Sequence, residues 1–113
     1  MIWGLTAYLL DRFLKDVVLK CSGQENEFIR AWSELSAAFL SLPNPPLWGT
    51  LIRHVSDRTL FYSFGPWRSL EHIRLMRESP IAGTALAKIR SCCEDMVPGQ
   101  YEVITHVDAS DVR

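Results

Sequence analysis

The residues best equipped for chemistry lie in the second half of the chain, where Tyr62, Trp67 and His72 fall close together. An indole can wall an apolar cavity and donate one hydrogen bond to a substrate oxygen. A phenol can orient a phenolic substrate, or deprotonate it if its pKa is lowered. An imidazole exchanges protons near neutral pH. Trp67, Tyr62 and His72 are therefore the candidate catalytic residues. Trp32 and Phe64 add aromatic wall and Arg77 adds a cation for a carboxylate or enolate, making these three the candidate ligand-binding residues. Each has a plainer alternative. Trp67 can pack at a sheet edge, Tyr62, Trp32 and Phe64 can belong to a core, and His72 can face solvent. Arg68, Arg74 and Arg77 can form a solvated face paired with Glu71 and Glu78.

Other chemistries lack their residues. His54, His72 and His106 fall on different elements with no Cys or carboxylate at ligand spacing, so no metal site is expected. There is no glycine-rich phosphate loop, GxSxG or HExxH. Three cysteines, two of them adjacent (Cys92, Cys93), make neither an even disulfide framework nor a CxxC zinc pattern, and suit a reducing cytoplasm. A helix C-terminus has the wrong dipole sign to activate a thiolate, so at least one of that pair is expected in the core. The 12 Lys and Arg are scattered among 13 Asp and Glu, which gives no electrostatic footprint for nucleic acid or an anionic bilayer. No cofactor is implied.

The elements that must position these residues can be read along the 113-residue chain, which is long enough for one domain with an ordinary core. Met1 to Leu10 is apolar but lacks a basic start and a cleavage site, and is too short to span a bilayer. Leu5, Leu9 and Phe13 recur at helical spacing, so residues 1–16 read as an N-terminal helical extension. Val17 to Cys21 reads as a strand. Ser22 with Glu25 fits a capping box for a helix whose stripe is Phe28, Trp32, Leu35, Phe39 and Leu42, stopped by the prolines from Pro43. Leu47 to Val55 and Thr59 to Gly65 read as a hairpin of two strands joined through Ser56, Asp57 and Arg58. Ser69 caps a second helix. Ser79 and Pro80 restart a third segment running to Met96, Pro98 and Gly99 form a turn, and Tyr101 to Val107 is the last strand, followed by a polar tail at 109–113.

Strand, helix, strand, strand, helix, strand is the ferredoxin-like α+β sandwich, with both helical layers on one sheet face. Leu60, Tyr62 and Phe64 alternate with Phe61, Ser63 and Gly65, so large apolar groups appear on both faces. Four Trp, five Phe and three Tyr, 11% of the chain, are too many for one small core. An uncovered apolar sheet face implies a homodimer packed sheet to sheet.

Residues 17–108 resemble the antibiotic-biosynthesis-monooxygenase-like family of the dimeric α+β barrel superfamily. The matching residues are Ser22 to Glu25 leading to Phe28 and Trp32, the hairpin after Pro46 with Gly49 and Leu51, Trp67 to Glu71, and Arg77 to Pro80. The resemblance implies a homodimeric barrel with a cavity in each subunit between helices and sheet. It also implies a cofactor-independent monooxygenase acting on a small aromatic substrate. The family's haem-degrading branch uses a histidine early in the helix after the break and an asparagine on the first strand. This chain has Ile81 to Leu86 and Val17 to Lys20 there, which disfavours haem degradation. The monooxygenase branch carries an asparagine on the third strand, about one helical turn's worth of sequence before the tryptophan, where this chain has Ser63. The alternative function is a non-catalytic small-molecule-binding or dimerisation protein of the same fold.

Overall fold

Eight residues, Phe13–Lys20, form the first strand, β1, in a computed structural model that describes residues 13–107 and Ala109. The strand starts four residues before the expected boundary at Val17. Phe13 thus belongs to a ladder, facing Trp67 and Glu102, and the rest of the expected helical extension lies outside the described residues, as does most of the 109–113 tail. Toward the end of β1, Leu19 is buried against the helices while Val18 and Lys20 are exposed.

Helix α1 (Glu25–Leu40) buries Phe28 and Leu35 of the expected stripe, with Ala31 beside them, and leaves Trp32 and Phe39 half-buried. Its start differs. The N-cap is Gln24 without a side-chain bond, because Gly23 turns the chain at φ +80°, a left-handed conformation that favours glycine. The Gly23 amide donates to Glu25 Oε1, while the Ser22 amide donates to Glu94 Oε1 at 3.1 Å. Strands β2 (Thr50–Arg53) and β3 (Leu60–Trp67) form the expected hairpin, with a wider connection. His54 Nδ1 accepts from the Ser56 and Asp57 amides at 3.0 and 2.9 Å, which gives that histidine a turn-forming role.

Ser69 caps α2 (Leu70–Glu78), its hydroxyl accepting from the His72 amide at 3.2 Å. Pro80 then opens α3 (Pro80–Cys92) at the helical position where its missing amide costs nothing. The third helix stops at Cys92, and the last strand, β4, is Asp95–Glu102. Met96 is a strand residue, and Pro98 and Gly99 sit in mid-strand opposite Val17 and Asp16. A proline is tolerated there because β4 is an edge strand paired only with β1.

The sheet order is β2-β3-β1-β4, all antiparallel, with the three helices on one face. This is the ferredoxin-like α+β fold. One core cluster joins Leu19, Phe28, Leu35, Phe61 and Ile89. A second joins Trp67, Ile73, Met76 and Ala82. Among the described residues, no helix is long and apolar enough to cross a membrane.

Candidate functional site

Between the two core clusters the helices stand away from the sheet and leave a cavity of about 630 Å³. Strand alternation decides what enters it. Lys15, Val17 and Leu19 of β1 and Ser63, Gly65 and Trp67 of β3 point to the helix side and line the space. Phe39 and Trp32 close it from α1, and Trp48 from the segment before β2.

Trp48 reaches this position because β3 has no side chain at Gly65. An added Cβ there would lie 2.6 Å from the Trp48 carbonyl oxygen and 3.5 Å from the Gly49 Cα. The segment therefore crosses the strand in backbone contact, and the Trp48 ring meets Phe64 edge-on with centroids 5.9 Å apart.

Of the sequence candidates, Trp67, Trp32 and Arg77 are brought together around this cavity, while Phe64 only borders it, its ring packed on Tyr62 with centroids 5.3 Å apart. Trp67 is 3% exposed and packs edge-on to Phe39, with centroids 6.4 Å apart, so it walls the cavity and fills the second core cluster at once. Trp32 Nε1 donates to Ser63 Oγ at 2.8 Å. That bond leaves the Ser63 hydroxyl proton without an acceptor among the described residues.

Tyr62 and His72 are not part of the cavity. Tyr62 alternates onto the opposite sheet face, where it pairs in register with Val18 and Ile52. Its hydroxyl donates to Asp16 Oδ2 at 2.6 Å. That bond to a carboxylate, with desolvation and the Asp16 charge, pushes the phenol up to about 12, the wrong direction for a base. His72 is half-buried on α2 away from the cavity lining. The arginines of α2 divide. Arg74 pairs with Glu71 and, at 2.8 Å, with Glu78 on the solvated face, whereas Arg77 turns to the cavity.

Lys15 was concealed by its position. It reads as part of a helical extension, and its place in the cavity follows only from its register opposite Gly65 and Gln100. Burial and the Arg77 guanidinium lower its pKa, and Asp16 partly counters them. With the Gln100 amide oxygen turned toward α2, Arg77 Nη1 donates to it at 3.1 Å. Arg90 also borders the space, and no Asp or Glu among the described residues does. The site is an aromatic-walled cavity of positive charge, with the unused Ser63 donor in its wall.

The cysteines are elsewhere. Cys21 Sγ and Cys93 Sγ lie 2.6 Å apart at the ends of β1 and α3, and burial raises both thiols, Cys21 further by its bond to Cys93. Among the described residues, no group of three or more His, Cys, Asp or Glu could hold a metal ion.

No protein-family model matches the chain, and no curated protein matches it. Solved structures do. SnoaB, a cofactor-independent oxygenase from Streptomyces nogalater, aligns with a TM-score of 0.79 at 15% identity, over 86% of this chain and 97% of that one. A Nitrosomonas europaea protein provisionally named an antibiotic biosynthesis monooxygenase aligns with a TM-score of 0.74 at 10% identity, over 83% and 91%. A Deinococcus radiodurans protein of the same provisional name aligns with a TM-score of 0.72 at 14% identity, over 85% and 96%. The chain thus has the fold of the antibiotic-biosynthesis-monooxygenase-like proteins, as the sequence resemblance implied.

Proposed function

We propose that the protein is a cofactor-independent monooxygenase that takes a small aromatic substrate into the cavity and lets it react with oxygen directly. The observation that carries this reading is the combination in one cavity of Trp32, Trp48 and Trp67 with the Ser63 donor and with cations that no acid among the described residues balances there. Aromatic walls hold a planar ring. A substrate oxygen near Ser63 accepts its hydroxyl proton, and the surrounding Lys15, Arg77 and Arg90 favour the anionic, electron-rich form of that substrate. Such a ring activates a methylene for reaction with oxygen: the carbon becomes a carbonyl, and the second oxygen atom leaves as water with the two hydrogens. SnoaB, of the same fold, is a cofactor-independent oxygenase, which supports the reading.

The non-catalytic alternative requires a cavity without convergent polar groups, and Ser63, Lys15 and Arg77 count against it. Oxygen consumption with a panel of quinols and anthrones, in purified protein with no added metal or flavin, tests the proposal. Uptake that falls in Ser63→Ala supports it. Binding of these compounds without any uptake would leave only the alternative.

The homodimer belongs to the same proposal. Ile52, Tyr62, Val18 and Val97 form one row across all four strands on the face without helices, and Ile52, Val97 and Tyr101 there are 49%, 53% and 56% exposed. A second copy packed on that face would cover the row. Light scattering should give twice the chain mass, and a monomer at micromolar concentration would refute it. A cytoplasmic setting belongs to the proposal as well, supported by three cysteines that make no even disulfide framework.

A further inference from the structure

We infer that the cavity selects aromatic ligands carrying a carboxylate, held by Lys15 and Arg77, at one end and a hydrogen-bond-accepting oxygen, held by Ser63, at the other. The inference rests on the cavity being the ligand site and specifies what it takes.

Three observations converge on it. The first is charge. Lys15 and Arg77 are near enough for the guanidinium to depress the lysine, yet neither is in an ion pair among the described residues, where Arg30, Arg74 and Lys88 each have a carboxylate. Lys15 is half-buried beside an Arg77 that stays exposed, and the repulsion between these two like charges is a cost that an anion held by both removes. Among the described residues Arg77 bonds the neutral Gln100 amide, which aims the guanidinium without cancelling its charge. Gln100 is therefore a positioning residue.

The second is spacing. Lys15 stands opposite Gly65 in the ladder and Val17 opposite Ser63. The cationic end and the Ser63 donor are thus two residues apart along the strands, about 7 Å at a strand's rise per residue. That separation suits the two ends of a fused two-ring system. The third is the wall between them. Trp32 is anchored by its bond to Ser63, and Trp67 is fixed by core packing, so flat rings meet preorganised surfaces.

Calorimetry on the 113-residue chain with three probes tests this: 6-hydroxy-2-naphthoate, its neutral carboxamide, and 2-naphthol. The carboxylate should bind at least tenfold more tightly than the carboxamide at neutral pH. That advantage should shrink several-fold in Lys15→Met and in Arg77→Met, with carboxamide affinity little changed, and should weaken with added salt. Equal affinity for carboxylate and carboxamide, with 2-naphthol still bound, overturns the inference and leaves the aromatic cavity standing. Failure of all three to bind overturns both. The wild-type comparison needs no variant, so it holds even if a substitution impairs folding.

Discussion

Gly65→Ala isolates the contact that seats Trp48 at the cavity. The new methyl would lie 2.6 Å from the Trp48 carbonyl oxygen, well inside van der Waals contact, and the obstructing atom is backbone, which cannot swing away as a side-chain tip can. Either the segment from Trp48 to Gly49 lifts off β3 or the strand bows, and overpacking of this kind costs about 1–3 kcal/mol. At roughly 4–8 °C per kcal/mol for a domain of this size, the midpoint should fall by at least about 4 °C. The same exchange at Gly83 supplies the control. There an added Cβ meets nothing within 4 Å, and the position lies inside α3 with its amide bonded to the Ser79 carbonyl at 3.0 Å. Alanine in a helix interior is favoured over glycine by about 0.5–1 kcal/mol, so Gly83→Ala should stabilise. Urea unfolding of both variants, followed by fluorescence and circular dichroism with the m-value compared, measures the pair. Because the lifted segment carries Trp48, Gly65→Ala should also weaken binding of any aromatic probe. If Gly65→Ala matched the wild type within 0.5 kcal/mol while aromatic binding was unchanged, the close crossing of β3 by the Trp48 segment would be wrong.

Lys15→Met should be more stable than the wild type near neutral pH, because it removes an ammonium whose charged form burial disfavours. The folded pKa lies below the ordinary 10.5, so the unfolded chain binds more protons just below that value. Wild-type stability from this group therefore rises with pH through the window, and the gap to the variant should close by pH 10.5. Tyr62 has the opposite sign in the same alkaline range. Its phenol ionises near 10 when unfolded and near 12 when folded, so its contribution is present below pH 10 and lost as pH rises toward 12. An ultraviolet titration showing all tyrosines ionising together near 10 would refute the Asp16 bond. Tyr62→Phe leaves the 6%-exposed Asp16 without that donor and should cost about 1–3 kcal/mol by denaturant unfolding. A thiol reagent should modify Cys92 before Cys21 and Cys93, whose thiolates are disfavoured; fastest labelling of Cys21 would contradict the packing at the end of β1.

Periodicity and punctuation were enough for most elements. The stripe through Phe28 and Leu35, the Ser69 cap and the Ser79-Pro80 break are local signals: helical spacing, a hydroxyl acceptor and a missing amide act within a few residues and read the same in any context. They failed where a local signal had two outcomes. Pro98 and Gly99 resemble a turn, and only the pairing of β4 as an edge strand makes them strand residues. Leu5, Leu9 and Phe13 have helical spacing, yet Phe13 joins a ladder because the strands opposite it continue to Trp67 and Glu102.

For the site, the sequence by itself determined which side chains were available, an excess of aromatic residues and arginines along the Trp67 segment, and the resemblance that named the fold. It did not determine which of them meet. Tyr62 and Ser63 are neighbours in the chain and lie on opposite sheet faces, so a step of one residue decides between an interface candidate and a cavity donor. Lys15 and Arg77 lie far apart in the chain and share a cavity because strand register turns Lys15 to the helix side, where the helix carrying Arg77 also packs. Proximity across long stretches of chain is set by strand register and helix packing, and these are properties of the folded whole.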